Sequence, residues 1–105
     1  MQFYQDKSEL QKICKACISE SEFHNYEGAS KQCVLGIVLA SKYVPHHQYI
    51  LPPYQPKQGV NTSSVAADVK QIKQVCKDAV SEIDFGNLMA FIQNLYTAGM
   101  IVNKY

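Results

Sequence analysis

Four cysteines, three histidines and a scatter of lysines are the residues of this chain that invite a chemical role. Cys14 and Cys17 are separated by two residues, the gap used by zinc knuckles and by dithiol oxidoreductases. A tetrahedral zinc site needs a second ligand pair at comparable spacing, and Cys33, Cys76, His24, His46 and His47 do not supply one. A thioredoxin-type site needs a βαβ context, which the sequence lacks. Both cysteines also fall on the apolar stripe of an expected helix, where a thiol packs as a small apolar group. Core packing is therefore the expectation, with all four cysteines reduced and free of metal. His46 and His47 are adjacent in a proline-rich stretch without further ligands, and are expected to be a solvated pair. Glu20 and Glu22 lie near a helix end as ordinary solvated charge. No glycine-rich phosphate loop, no Ser-His-Asp set and no Cys-His dyad in a recognisable context is present. The expectation is a non-enzymatic protein without a cofactor.

Composition narrows the classes further. With 105 residues, 47% of them apolar, the chain suits one domain spanning residues 1–105. A formal net charge of +1 makes no electrostatic case for nucleic acid or an anionic membrane. No uninterrupted apolar run is long enough for an integral membrane segment. The opening MQFYQDKSEL lacks the basic-then-apolar order of a secretory signal. Four cysteines without such a signal suggest a reducing compartment, and hence a cytoplasmic location.

The elements that would position these residues occur twice. Shifted by 62 places, the distance from Cys14 to Cys76, residues 9–43 fall on residues 71–105 without a gap. Cys14/Cys76, Lys15/Lys77, Phe23/Phe85, Asn25/Asn87 and Tyr43/Tyr105 coincide, and Leu10/Ile72 and Ile13/Val75 are conservative matches. Such self-similarity marks a repeated supersecondary unit. Each unit predicts two helices. Leu10, Ile13, Cys14, Cys17 and Ile18 recur at i, i+3, i+4, i+7 and i+8, the spacing of one helical face. A start near Asp6 or Ser8 is expected after a lead of Met1 to Tyr4, with Ser8 and Gln11 as a capping box. The joint follows: Asn25 and Asn87 are expected N-caps, and Phe23 and Phe85 are expected to plug the hairpin ends. Joints this short force antiparallel neighbours.

The second helix of the first unit should run from Tyr26 to Ala40, with Ala29, Cys33, Gly36 and Ile37 inward. Val34, Leu35, Val38 and Leu39 widen that stripe and suggest burial on more than one side. Residues 44–62 contain Pro45, Pro52, Pro53 and Pro56, which forbid a continuous helix. Tyr49, Ile50, Leu51 and Tyr54 make the segment too apolar for a loose tether, so it should lie along the bundle. Its Leu51-Pro52-Pro53-Tyr54 comes near a PPxY ligand, but the tyrosine stands one place early. Thr62, Ser63 or Ser64 should cap the third helix. Val65, Val69, Ile72, Val75, Cys76, Ala79, Val80 and Ile83 form its inner face, with Lys70, Lys73 and Lys77 opposite. The fourth helix starts near Leu88 and buries Phe91, Ile92, Leu95, Ala98, Ile101 and Val102.

LQKICKACIS at residues 10–19, and VCKDAVS at residues 75–81 followed by Phe85, Asn87 and FIQNLYTAGMIV, resemble a known helical hairpin. It is the C-terminal VSL domain of the ESCRT-associated cofactors that activate the AAA ATPase of membrane remodelling. That family's hairpin dimerises into a four-helix arrangement and contacts the ATPase through basic residues of its first helix. The resemblance places Lys12 and Lys15 on the lysines of the QKxxK pattern. In the second unit Lys77 alone matches, Gln74 standing where the other lysine would be. The family's N-terminal microtubule-interacting-and-transport region has no counterpart in these residues. The expected fold is all-α: two tandem antiparallel hairpins (9–43 and 71–105) joined by the proline-rich linker 44–62 into a four-helix bundle. The function implied is a regulator or adaptor of an AAA-type ATPase, held at membranes through that partner. The alternative is a small structural subunit that packs its hairpins into a larger assembly. The apolar stripes admit a homodimer as well as an intramolecular pairing.

Overall fold

Four helices make up the computed structural model, which describes residues 3–105: α1 (Phe3–Glu22), α2 (Tyr26–Ala40), α3 (Val65–Asp84) and α4 (Leu88–Val102). No strand occurs among the described residues. Each short helix begins where the sequence places an asparagine. Asn25 accepts from the Gly28 amide at 3.2 Å, and Asn87 from the Ala90 amide at 3.5 Å, satisfying one orphan donor in each first turn. The residue before each cap is left-handed, with φ of 60° at His24 and 70° at Gly86. This turns the chain back within a few residues, a conformation glycine adopts freely and histidine only at a cost.

Three expectations about helix ends need correction. α1 begins at Phe3, so Ser8 lies inside the helix, and Gln11 donates to Asp84 of α3 at 3.0 Å rather than closing a capping box. Asp6 explains the earlier start: in the first turn, its carboxylate takes Lys42 and the Tyr43 hydroxyl from beyond the end of α2. A tertiary anchor thus overrides a local capping signal. Of the expected lead, Met1 and Gln2 lie outside the described residues. Ser64 is the N-cap of α3 but makes no side-chain capping bond; Asp68, like Asp6, is held instead by Lys104 and the Tyr105 hydroxyl. Phe23 and Phe85 do not plug the hairpins. They are 82% and 86% exposed, because the left-handed residue that follows carries the chain away before either ring meets the core.

The four helices pack as a ring: α1 on α2, α2 on α4, α4 on α3, and α3 on α1. Polar contacts give the directions. Lys7 near the start of α1 pairs with Asp84 at the end of α3, and Lys73, eleven residues earlier in α3, pairs with Glu22 at the end of α1. Ser30 early in α2 donates to Asn103 just past α4. Every neighbour is therefore antiparallel, as in a four-helix bundle with one long crossover. Leu10, Ile72, Ile83, Phe91, Ile92 and Leu95 are fully buried along its axis. Each such side chain contributes about 1.5–3 kcal/mol on burial. Gly36 makes the α2–α4 contact close, since a Cβ there would stand 2.3 Å from Leu95 Cδ1.

Between α2 and α3 the chain is irregular and crosses the length of the bundle beside α4. Tyr49 accepts from Gln93 and meets Tyr96 edge-on, with ring centroids 5.4 Å apart. Leu51 is buried over Gly99, where a Cβ would lie 2.4 Å from its Cδ1. The Pro52 carbonyl accepts from Asn103, and the Tyr54 hydroxyl donates to the Tyr105 carbonyl. Tyr105 in turn stacks on Tyr26 at 5.0 Å and closes that end of the core.

Candidate interaction surfaces

Five of the ten lysines of this chain are occupied by its own carboxylates. Lys7 and Lys73 tie α1 to α3, Lys31 pairs with Glu27, and Lys42 and Lys104 hold Asp6 and Asp68. Lys12 and Lys15 on α1 and Lys77 on α3 are different. All three are exposed on the sides of their helices away from the core stripe, and among the described residues they make no ion pair. α1 and α3 are neighbours, so the three ammonium groups belong to one side of the bundle. Lys70 on α3 is likewise exposed, with no ion pair among the described residues.

The opposite side is apolar. α4 carries no charged residue, and α2 carries only Glu27 and Lys31. Val34, Leu35 and Val38 had the appearance of core by their apolar breadth; the structure corrects this, leaving Leu35 53% and Val38 63% exposed. A helix in a four-helix ring has only two neighbours, and α2 spends its inward face on α1 and α4. Its third side has nothing left to meet. Concave surfaces flank this ridge: one beside α1, lined by Ile13, Leu39 and Glu9, the other beside the linker, lined by Pro53, Tyr54 and Lys31. Ile50 of the linker is exposed near the same ridge. The signal for this surface was present in the sequence, because Glu27 and Lys31 share a helical face with Val34 and Val38 and so place that face in water.

The cysteines form a cluster inside the core. Cys14, Cys17, Cys33 and Cys76 come from α1, α2 and α3, and all are fully buried and unbridged. Cys17 and Cys33 bring their Sγ atoms to 3.2 Å. Hydrogen bonds to Cys17, then burial, push the Cys33 and Cys76 thiols up. Burial pushes Cys14 up to about 12. Hydrogen bonding with Cys33, then with Cys76, draws Cys17 down. Without an opening to solvent the group has no access to a reactant. Among the described residues no cluster of histidine, cysteine or carboxylate is arranged to hold a metal.

His46 and His47 are not the solvated pair expected of them. His46 is exposed, whereas His47 is half-buried and its Nδ1 accepts from the Tyr49 amide at 3.0 Å. Its Nε2 then donates to Ser41 Oγ at 2.7 Å, and Ser41 donates to the Ile37 carbonyl at the end of α2. The histidine fastens the linker to the helix it leaves.

Comparison with family models, with curated proteins and with solved structures gave no match. Among the described residues no helix is long and apolar enough to cross a membrane.

Proposed function

We propose that this chain is a non-enzymatic helical interaction module that regulates or adapts an AAA-type ATPase in membrane remodelling. The observation that carries the proposal is the display of Lys12, Lys15 and Lys77 on α1 and α3 without an ion-pair partner among the described residues. Lysines committed to intramolecular pairs would have to break them to bind; these three are free to meet an acidic surface, where charge complementarity governs encounter and register. The resemblance to the VSL hairpin assigns the same positions to ATPase contact, and the 62-residue recurrence supports two such hairpins in one chain. A cytoplasmic location, with attachment to membranes through the partner, goes with this role.

The test is ATP turnover by an ESCRT-type AAA ATPase with and without the full chain. Stimulation should be lost in the Lys12→Ala/Lys15→Ala double variant, whose exposed positions leave the melting temperature unchanged. Lys77→Ala should have a smaller effect, because Gln74 leaves the second hairpin with one lysine of the pattern. Absence of stimulation by the wild-type chain, or full stimulation by the double variant, refutes the assignment.

A second reading has its own support. The bare apolar ridge of α2 suits a structural subunit that packs into a larger assembly. A solution mass of many chains, reduced by Leu35→Asp, would favour it.

A further inference from the structure

We infer that the outer ridge of α2 is a homodimer interface, in which two copies pack α2 against α2 in antiparallel register about a twofold axis between Val34 and Leu35. The ridge consists of Glu27, Lys31, Val34, Leu35, Val38 and Lys42, all exposed. At about 3.6 residues per turn these positions share one narrow face, with Lys42 in the turn that extends the helix. A twofold interface requires a surface complementary to itself when reversed. Reversal about the midpoint of Val34 and Leu35 maps the set onto itself: Val34 meets Leu35, Lys31 meets Val38, and Glu27 meets Lys42. The apolar pairs fall in the centre, the lysine stems lie over valine methyls, and the ends carry opposite charges, Glu27 and Lys42. On pairing, these two turn from or share their exposed intramolecular contacts with Lys31 and Asp6. A charge pattern that answers itself twice in one register is what commits the ridge to a second copy rather than to an unrelated helix.

Local shape agrees. The ridge is flanked by a concavity on each side, beside α1 and beside the linker, and antiparallel helices pack by setting ridges into such grooves. The corresponding face of α4 is built differently: Tyr96 lies against Tyr49, and the exposed positions are Gln93, Thr97, Met100 and Lys104, without the apolar centre and paired opposite charges of the α2 ridge. Only α2 carries the self-complementary pattern, so the pairing closes at two copies.

The inference is independent of the lysine surface, and one set of experiments separates them. Analytical ultracentrifugation of the full chain from low to high micromolar concentration should show a monomer–dimer equilibrium. Leu35→Asp should be monomeric throughout with its helical content and melting in dilute solution retained. Glu27→Lys alone and Lys42→Glu alone each set like charges opposite one another twice, and should weaken self-association by about tenfold or more. Their equimolar mixture restores both opposite-charge contacts and should form a heterodimer about as tight as the wild-type pair. Lys42 also holds Asp6, so melting of Lys42→Glu is followed in parallel; Leu35→Asp and Glu27→Lys decide the matter if that variant unfolds. Lys12→Ala/Lys15→Ala should dimerise normally. A wild-type chain that stays monomeric, assembles beyond two copies, or dimerises equally well as Leu35→Asp overturns the inference, as does a mixture no tighter than its components.

Discussion

Both α2 and α4 run for 15 residues behind an asparagine cap, and each packs on one long helix and on the other. They differ on their outer sides. One flank of α4 lies under the linker, received by Gly99 where α2 has Ile37 at the corresponding place 62 residues earlier, and its exposed positions are Gln93, Thr97 and Met100. α2 keeps Val34, Leu35 and Val38 in water. A single crossing segment can shield only one of two equivalent helices. Near-equal hairpins joined by one strap are bound to become unequal surfaces, and the unequal one is where a partner is to be sought.

The sharpest way to probe that contrast is to truncate the same residue type on each helix. Leu95 of α4 is fully buried and fills the notch at Gly36, so Leu95→Ala should cost about 2–5 kcal/mol through lost transfer energy and a cavity. Leu35→Ala on the bare ridge should stay within about 0.5 kcal/mol in dilute solution. Chemical denaturation of both variants checks the pair. Similar costs for the two would mean that α2 is not bare.

The strap itself comes next. Leu51→Ala should cost about 2 kcal/mol, the low end for a buried leucine, because its site borders solvent and can partly collapse. Gly99→Ala attacks the same contact from the helix side. The added Cβ would press on Cγ as well as both Cδ atoms of Leu51, so rotation of the leucine tip does not relieve it, and about 1–3 kcal/mol is expected. In both variants protease cleavage within residues 49–54 should accelerate before global unfolding does. Destabilisation with an equally protected linker would show that Leu51 acts as core and not as the fastening of the strap.

Much of this architecture was legible in sequence, and the failures share a cause. Asn25 and Asn87 were readable as caps because a cap depends on its own side chain and the next three residues. The inner face of α4 was readable because Phe91, Leu95, Ala98 and Val102 recur at helical spacing. The start of α1 was not, since it depends on Asp6 meeting residues of the far end of the hairpin. The exposed ridge of α2 was also missed, because apolarity alone does not say how many neighbours a helix has. The caps allow a finer comparison. Asn25→Ala and Asn87→Ala should each cost about 1 kcal/mol. Asn25 should cost more, since its capping bond is shorter and its amide also donates to Glu20. Equal shifts in denaturation midpoint would assign the Glu20 contact no share in stability.

The smallest predicted difference lies in the two anchors, Asp6 with Lys42 and Tyr43, and Asp68 with Lys104 and Tyr105. Hydrogen bonds from Tyr43 and Lys42 lower Asp6, and those from Tyr105 and Lys104 lower Asp68. A carboxyl lowered in the folded state adds stability that is complete above its unfolded value of about 4 and is lost as pH falls through the folded one. The tyrosines work in the other direction. Tyr105 is pushed up to about 12 by its bond to Asp68, and Tyr43 is raised by its bond to Asp6. Their contribution is complete below the unfolded tyrosine value of about 10 and declines as pH rises beyond it. Stability should therefore have an acid limb below about pH 4 and an alkaline limb above about pH 10. The anchors should share these limbs unequally, because Tyr105 is buried under Tyr26 and Tyr54 while Tyr43 is only half-buried, and solvent screens the more open pair. Urea midpoints measured across pH should show the acid limb flattened more by Asp68→Asn than by Asp6→Asn, and the alkaline limb flattened more by Tyr105→Phe than by Tyr43→Phe. If the first hairpin's variants have the larger effect, closure of the Tyr105 end by the linker does not strengthen its anchor, and the inequality between the hairpins stops at their surfaces.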